Sequence, residues 1–491
     1  MKKSIHSQAP RCCKARNNIH ITCAILSLAL FSCCLAQAQE QPKKQSHVNV
    51  VVILADDLGY GDLGCYGHPK FKTPNLDRLA EEGARLTNFY VNCPYCAPTR
   101  AALQTGRYQF RSGMTKNPFP KDDLAGIKGA DEVGLPASEI TLGEAFQGAG
   151  YQTMLIGKWH LGHMPQFYPT RHGYHDYFGI LYSNDMNPVQ LFRGEKRVEY
   201  PVVQATLTQR YTAAAVEFLE KNRQKPFFLC LAHAMPHKPL ACSETYYQKS
   251  KAGLYGDVIA ELDDSVGQVM KKLKELQLDD QTLVFFTSDN GPWYGGSTGG
   301  LRGMKSLSFE GGIRVPLIAR FPGKIPAGHV SHQPAIIMDL FTTSLTAAKI
   351  PTPNDRKLDG LDIMPLLTSQ ATSPHKALFG IKGGQLCSVR VGKWKLHIVA
   401  AGPAEPKIWQ PGEPYRDPRA PDGVRILAPY EQPHPSDFPG LQTGDPVTGI
   451  ALFDLDQDAA EQHNLAAEHP NVVAELQALC NKMQEEISAA K

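Results

Sequence analysis

The stretch "VNVVVILADD", residues 48–57, decides the fold class of this 491-residue chain. Its continuous apolar run is typical of a strand buried on both faces of a sheet. Three later runs share this pattern: "YQTMLIGKWH" (151–160), "KPFFLCLAHAMPH" (225–237) and "TLVFFTSDNG" (282–291). Residues 206–223 and 254–276 lie between them and carry apolar residues at helical spacing. This alternation predicts an α/β fold with a mostly parallel sheet flanked by helices.

Polar side chains stand at the end of each of these four strand patterns. They are Asp56 and Asp57, Lys158 and His160, His233 and His237, and Asp289 and Asn290. Ligands of open α/β sheets bind at the carboxyl ends of the strands, so we expect these side chains to form one site. The aspartate and asparagine oxygens are hard donors that suit Ca²⁺ or Mg²⁺. The alternative interpretation is a helix N-cap for the aspartates and an ordinary turn for Asp-Asn-Gly.

The same edge of the predicted sheet carries cations and histidines. Lys158, His160, His237 and Lys305 suit a tetrahedral anion on which charge develops during ester hydrolysis. A histidine can supply the proton of the leaving group near neutral pH. Three other histidines are interpreted as structural: His163, His172 and His175.

The segment "NCPYCAPTRAALQTGRY", residues 92–108, has two incompatible interpretations. Cys93 and Cys96 form a C-x-x-C pair of the redox type, whereas Cys96 followed by Ala-Pro-Thr-Arg is a cysteine placed for chemical conversion. Residues 98–106 predict a short helix, with Cys96 at its N-terminus and Arg100 one turn later. The helix dipole there favours an anion, and we expect it to lower the pKa of the Cys96 thiol.

The N-terminal residues 1–38 have the features of a Sec signal peptide, which predicts export to the periplasm or secretion. A basic segment precedes the apolar run 19–35, and Ala-Gln-Ala follows at 36–38. A membrane anchor is the first alternative, but the run is shorter than a stable membrane span requires. A lipoprotein is the second, because Leu-Phe-Ser-Cys at 30–33 is a poor lipobox match. Outside the leader seven cysteines remain, so at least one thiol is unpaired or modified.

The composition divides the rest of the chain at about residue 375. We expect a catalytic domain at 39–374 and a smaller C-terminal α+β subdomain at 375–491. The subdomain has antiparallel strand patterns at 388–400 and 449–458 and a closing helix at 470–487. Residues 402–446, rich in proline and glycine, are either a surface excursion or a wall of the substrate pocket. The net charge of +3, without a basic block, argues against a nucleic-acid partner.

These residues resemble a known family. "CAPTRAALQTGR" (96–107) resembles the type I, formylglycine-dependent sulfatase signature. Other blocks resemble the family in the same order: "ADDLGYGDLGCYG" (55–67), "GKWHLG" (157–162), "PHKPL" (236–240), "SDNG" (288–291), "RGMKSLSFEGGIRVPLIAR" (302–320) and "ALFDLDQDAAEQHNLA" (451–466). "GILYSNDMNP" (179–188) is similar to a block of arylsulfatase A and N-acetylgalactosamine-6-sulfatase. The resemblance extends from about residue 48 to the C-terminus.

The resemblance implies an alkaline phosphatase superfamily fold with a mixed, mostly parallel sheet. It implies that Cys96 is oxidised to Cα-formylglycine, whose hydrate attacks the sulfur of a sulfate ester. The implied Ca²⁺ ligands are Asp56, Asp57, Asp289, Asn290 and the modified residue 96. Arg100 and Lys158 would hold the hydrate, and His160 would be the base. His237, as general acid, and Lys305 would contact the sulfate and leaving oxygen, with Ser183 near the sulfate.

The implied function is hydrolysis of sulfate esters, from a sulfated carbohydrate of the galactose or N-acetylgalactosamine 6-sulfate type and from aryl sulfates in vitro. The implied partners are a sulfated small molecule or polysaccharide and the maturation enzyme that installs formylglycine. The alternatives are a phosphoesterase or phosphonate hydrolase of the same superfamily, and a binding protein with a dead site. Cys93 has no role in the signature, so the C-x-x-C pair is interpreted as coincidental.

Overall fold

In the computed structural model, strand β1 (Asn49–Ala55) runs through the middle of an eleven-stranded sheet. It pairs in parallel with β7 (Phe227–Ala232) on one side and with β8 (Thr282–Ser288) on the other. All seven residues of β1 are buried, because neighbouring strands cover its edges and helices cover both faces. The apolar run at 48–57 therefore forms the buried strand that it predicts.

The structure describes residues 47–70, 72–120, 132–186, 189–402, 407–414, 432–437 and 440–490. The predicted signal peptide and parts of the predicted loop at 402–446 lie outside the described residues. Among the described helices, each is too short or too polar to cross a membrane.

The other strands extend this sheet on both sides of β1. They are β2 (Ala84–Tyr90), β3 (Gln152–Lys158), β4 (Asp176–Ile180), β5 (Leu191–Arg193), β6 (Lys196–Glu199), β9 (Arg314–Arg320), β10 (His329–Ser331) and β11 (Ala335–Ile336). The order is β10-β2-β9-β8-β1-β7-β3-β4-β5-β6, and β11 pairs with β2. The strands β8, β1, β7, β3 and β4 are parallel, whereas β9 and β5 pair antiparallel with their inner neighbours. The sheet is therefore mixed and parallel at its centre, as the sequence predicts.

Helices cover both faces of the sheet. They are α1 (Pro74–Glu81), α2 (Cys96–Thr105), α3 (Gln109–Ser112), α4 (Leu142–Gly148), α5 (Leu207–Lys221), α6 (Gly253–Glu275), α7 (Glu310–Ile313), α8 (Asp339–Ala347), α9 (Met364–Thr368) and α10 (Pro470–Ala489). Val50 and Val52 of β1 share a core with α2, α4 and α8, whereas Val51 and Ile53 share another with α1, α5 and α6. Successive side chains of a strand point to opposite faces, so one apolar run supplies both cores.

Helix α2 is buried over its whole length. It starts at Cys96, two residues earlier than predicted, and ends at Thr105; the next residue, Gly106, caps it with a φ of +69°. A Cβ at Gly106 would lie 2.7 Å from the ring of Phe341 in α8. Glycine therefore provides both the left-handed backbone and the close approach that this helix end requires.

A second, antiparallel sheet follows in the C-terminal part of the chain. Its strands, in spatial order, are β12 (Leu378–Lys382), β13 (Gln385–Val391), β14 (Trp394–His397) and β15 (Ala451–Asp454). Helix α10 packs against β13 and β14. Its buried side chains include Leu476, Cys480, Met483 and Ile487. The antiparallel sheet and the closing helix are therefore present as predicted.

Candidate active site

The carboxyl ends of β1, β3, β7 and β8 bring buried polar residues together. Asp56 and Asp57 follow β1, and Asp289 and Asn290 follow β8 directly. Asp57 has a φ of 62°, a left-handed conformation that non-glycine residues rarely adopt. Its backbone N–H donates to Asp289 Oδ1 at 3.2 Å, which fixes the two loops to each other.

Cys96 lies at the start of α2, with its Sγ 3.6 Å from Asp56 Oδ1 and 3.5 Å from Lys158 Nζ. Burial raises the pKa of the Cys96 thiol well above its ordinary value, although Lys158 and Lys305 act in the opposite direction. The expectation that the helix N-terminus lowers this pKa is therefore wrong. Loss of water outweighs the helix dipole here, because the side chain is buried.

Lys158 and Arg100 bind the carboxylates on one side of the site. Lys158 Nζ lies 2.5 Å from Asp56 Oδ2 and donates to Ser183 Oγ at 3.1 Å. Arg100 Nε donates to Asp289 Oδ2 at 2.8 Å, and its Nη1 donates to the Lys158 carbonyl at 2.7 Å. Both side chains are buried, so these ion pairs are shielded from water.

Asp57 is the centre of a second group of contacts. Lys305 Nζ donates to Asp57 Oδ2 at 2.8 Å, and Asn290 Nδ2 donates to Oδ1 at 2.7 Å. His237 Nε2 lies 3.7 Å from Asp57 Oδ2 and 3.4 Å from Ser183 Oγ. Ser183 thus contacts both Lys158 and His237 and connects the two groups.

A cavity of about 320 Å³ opens onto this cluster. Five predicted site residues line it: Cys96, His160, Ser183, His237 and Lys305. Burial lowers the pKa of His160 well below its ordinary value, and the charges of Lys158, Arg100 and Lys305 lower it further. His160 is therefore a neutral imidazole at neutral pH.

Comparison with known proteins decides the family. Residues 48–350 match the family model described as Sulfatase. The chain belongs to the sulfatase family. It is 41% identical to N-acetylgalactosamine-6-sulfatase of Canis lupus familiaris over 381 residues, which cover 71% of each chain. It is 37% identical to human arylsulfatase A over 456 residues, covering 85% of this chain and 83% of that one.

Solved structures agree with this assignment. The PsFucS1 sulfatase from Pseudoalteromonas sp. aligns with a TM-score of 0.73 at 26% identity, over 95% of this sulfatase and 94% of that chain. Ps i-CgsB in complex with k-i-k-neocarrahexaose aligns with a TM-score of 0.72 at 25% identity, over 91% and 94% of the two chains. The predicted alkaline phosphatase-like fold is confirmed, and the sulfatase is a sulfuric ester hydrolase.

The sulfatase cavity has further lining residues that the sequence did not predict: Tyr95, Lys116, Asn117, Phe119, Asp185, Met186 and Ser306. Asp185 and Met186 lie in the block at 179–188, so proximity to Ser183 was an available signal. Asn117 accepts a hydrogen bond from the Ala97 N–H at 3.0 Å and so binds the first turn of α2. Residues 116–119 follow α3 without any motif.

His233 lies away from the cluster, in contrast to the expectation that it joins the site. Its Nε2 lies 3.2 Å from Ser265 Oγ of α6, and burial lowers its pKa to about 3. The sequence analysis interprets three more histidines as structural. None of them lines the described cavity: His163, His172 and His175.

The cluster has the donor set of a possible metal site. Asp56, Asp57, Cys96 and His237 each place a potential ligand atom within 4.8 Å of the others. Burial, with the charge of Asp289, raises the pKa of Asp56 to about 7. The Asn290 Oδ1 is buried without a hydrogen-bond donor within the described residues. A cation would satisfy this oxygen and offset the repulsion between the carboxylates, so the residues fit one.

Proposed function

We propose that this sulfatase hydrolyses sulfate esters of carbohydrates, using a Cα-formylglycine made from Cys96 and a bound Ca²⁺. The position of Cys96 carries the proposal. Its side chain faces the cavity from the first turn of α2 and contacts both Asp56 and Lys158. Such a residue can present a nucleophile to a sulfate that enters the cavity.

Asp56, Asp57, Asp289 and Asn290, with residue 96, would hold the Ca²⁺. When bound, the metal would withdraw charge from the sulfate, and the hydrated aldehyde would supply the attacking hydroxyl. Burial by itself would raise the pKa of Asp289, but the charges of Arg100, Lys158 and Lys305 together lower it, which keeps that carboxyl ionised for this role.

The cations position the sulfate and stabilise its charge. Lys158 Nζ, between Cys96 Sγ and Ser183 Oγ, would orient the nucleophilic residue and one sulfate oxygen. Lys305 also lines the cavity and would bind a second oxygen. These groups are fixed before the substrate arrives, so they stabilise the developing charge without reorganisation.

His237 would donate the proton to the leaving oxygen. Its Nδ1 lies 2.5 Å from the Lys238 carbonyl, which can only accept, so Nδ1 carries a hydrogen. Nε2 is therefore the nitrogen that would transfer a proton to the leaving oxygen. His160, which is neutral at neutral pH, would serve as the base that accepts the proton from residue 96.

We infer a carbohydrate substrate of the galactose or N-acetylgalactosamine 6-sulfate type, with aryl sulfates accepted in vitro. The relatives named N-acetylgalactosamine-6-sulfatase support this, as does the neighbour solved with k-i-k-neocarrahexaose. We also propose that residues 1–38 direct export to the periplasm or medium. A formylglycine-installing enzyme would act on residue 96 before folding, since the folded protein buries that residue. We also propose that the catalytic domain ends at residue 374 and the C-terminal subdomain begins at residue 375.

Mass spectrometry of the tryptic peptide that contains Cys96 tests the nucleophile. In protein from its native host we expect a mass roughly 18 Da below that of the cysteine peptide, the change from thiol to aldehyde. The same protein should release sulfate from N-acetylgalactosamine 6-sulfate and release far less phosphate from the 6-phosphate. A Cys96→Ala variant is the matched control. An unmodified thiol in fully active protein would refute the proposed nucleophile.

A further inference from the structure

A second cavity, of about 330 Å³, adjoins the catalytic cavity and takes no part in the proposed hydrolysis. The two cavities share Lys305 and Ser306 as lining residues. The other walls come from two places in the chain: residues 293–309, after β8, and described residues between 402 and 447. A molecule that extends past Lys305 from the sulfate pocket would enter this second cavity. Its volume is within the range of small-ligand pockets, roughly 300–1,000 Å³.

Aromatic side chains from both walls line the cavity. Trp293 and Tyr294 have ring centroids 4.7 Å apart, with an angle of 59° between their planes. Trp409 comes from the other wall, and Lys407 Nζ lies 3.5 Å from the centroid of its indole ring. All three aromatic residues are half-buried. Aromatic faces bury the C–H face of a pyranose ring and leave its hydroxyls to polar groups at the rim.

Contacts within the fold hold the cavity wall that includes Trp409 close to the loop that carries His237. The Trp409 ring lies perpendicular to the ring of His434, with centroids 5.8 Å apart. The preceding residue, Pro433, accepts a hydrogen bond from Lys238 Nζ at 3.3 Å, and Lys238 follows the catalytic His237. Gln432 exchanges two hydrogen bonds with the backbone of Leu240, at 2.7 and 3.0 Å. These contacts connect the cavity wall that includes Trp409 to the segment that follows His237.

The Trp293 wall is fixed as well. The Lys305 backbone N–H donates to the Pro292 carbonyl at 2.9 Å, which joins the segment before Trp293 to the shared wall. Gly295 has a φ of +93°, and a Cβ there would lie 2.4 Å from Pro433. The two walls therefore meet at Gly295 and Pro433.

The charged side chains of the lining are cations that already have partners within the fold. Among the described residues, the lining includes three cations, Arg302, Lys305 and Lys407, and no carboxylate. Lys407 is paired with Glu413 at 2.5 Å, and Arg302 donates to the carbonyls of Asp445 and Glu461. Lys305 is paired with Asp57 in the same way, so these cations can donate hydrogen bonds to a glycan but do not form an unpaired positive surface.

We propose that this cavity is a subsite for the sugar residue linked to the sulfated one, with Trp293, Tyr294 and Trp409 as its stacking surface. The inference rests on the proposed carbohydrate sulfatase function. It adds that the enzyme binds at least two sugar residues of a sulfated oligosaccharide. The affinity gained from the second residue would distinguish oligosaccharides from monosaccharide sulfates.

The test compares two substrates across three variants. The substrates are N-acetylgalactosamine 6-sulfate and a chondroitin 6-sulfate trisaccharide with that residue at its non-reducing end. The ratio of kcat/KM for the trisaccharide to that for the monosaccharide should fall about tenfold in Trp409→Ala and in Trp293→Ala. Ile408→Ala is the matched control: it is 61% exposed, adjoins Trp409 and does not line the cavity. Its ratio should equal that of the parent enzyme.

An unchanged ratio in both tryptophan variants would overturn the subsite. Calorimetric titration of both glycans into Cys96→Ala protein separates this failure from a failure of the proposed function. If the parent enzyme cleaves neither glycan but binds the trisaccharide about tenfold more tightly, and Trp409→Ala removes that difference, the subsite stands and the proposed substrate chemistry fails. Equal affinity for the two glycans would refute the subsite whatever the activity.

Discussion

The environment of Cys96 supports the proposal that this residue is converted before it acts as a nucleophile. The thiolate is the reactive form of cysteine, but burial raises the pKa of this thiol well above its ordinary value. Asp56 Oδ1, 3.6 Å from Sγ, opposes a second negative charge at the same place. An unmodified Cys96 is therefore a neutral thiol within a charged cluster. An aldehyde hydrate presents a hydroxyl at this position without requiring a thiolate.

The role proposed for His237 predicts a dependence on the leaving group. His237→Gln removes the proton donor, so kcat for the sugar sulfate should fall roughly 10²- to 10⁴-fold. The fall for 4-nitrophenyl sulfate should be much smaller, because nitrophenolate leaves without a proton. Steady-state kinetics on the two substrates measure the difference. The control is His332→Gln, an exposed histidine outside the described cavity lining. Equal losses on both substrates would assign His237 to binding instead of proton transfer.

The polar residues at the strand ends were predictable because the backbone of a parallel sheet determines where they go. Asp56, Lys158 and Asp289 meet because β1, β3 and β8 run in the same direction and end at one edge. His233 also follows a central strand, yet it faces the opposite side of the sheet. Ala232 packs in the core below α2, so the next side chain points towards α6 and Ser265. The position of a polar residue just after a strand therefore does not by itself place its side chain on the side of the sheet where the site lies.

The strands and helices that the sequence predicted are those with a clear hydrophobic pattern. The central strands are long apolar runs. In the hairpin β13–β14, apolar and polar residues alternate on both sides of a Gly-Lys turn. Both could therefore be predicted from the sequence. The outer hairpin β5–β6 contains Arg193 and the exposed residues 196–198, which give no apolar alternation. Strands β10 and β11 have three and two residues, too few for any period to appear. Their pairing with β2 comes from tertiary contacts.

Strand β14 carries a buried cation that joins the second sheet to the first. Lys395 Nζ lies 3.0 Å from Glu310 Oε1 of α7 and 3.0 Å from Glu461 Oε1. Burial by itself would raise the pKa of Glu461, but Lys395 and His397 lower it to about 2. The stability that Glu461 contributes is thus present above its unfolded pKa and is lost as the pH falls from about 4.5 towards 2.

Substitution of Lys395 should therefore destabilise the protein strongly. Lys395→Met removes the cation that two buried carboxylates share, and we expect the free energy of unfolding to fall by about 3–5 kcal/mol. Lys393→Met is the matched control, since its pair with Asp454 at 2.6 Å is partly exposed and contributes about 1 kcal/mol or less. Denaturant unfolding measures both variants. Equal losses would show that the buried cluster adds no more stability than a surface pair.

The net charge of the whole chain is only +3, but three aspartates are concentrated at one edge of the sheet. Asp56, Asp57 and Asp289 are each almost inaccessible to water. Burial and Asp289 raise the pKa of Asp56 to about 7, so the metal-free protein takes up a proton there on folding. A raised carboxyl pKa means that the stability of the metal-free protein decreases as the pH rises from about 4 to about 7. The calcium binding that we propose would require the ionised form and so would compete with this proton.

Calcium should consequently stabilise the folded sulfatase more at pH 8 than at pH 5. At a free calcium concentration of ~100 Kd the gain is about 2.7 kcal/mol, if the unfolded chain does not bind the ion. Thermal unfolding in calcium and in EDTA at the two pH values measures it as a rise in Tm. Asn290→Ala removes a neutral ligand without changing the carboxylates, so the calcium-dependent rise should shrink while the pH dependence in EDTA remains. A Tm that calcium leaves unchanged at both pH values would exclude a calcium site formed by these residues. A rise of equal size at pH 5 and pH 8 would mean that Asp56 is already ionised in the metal-free fold.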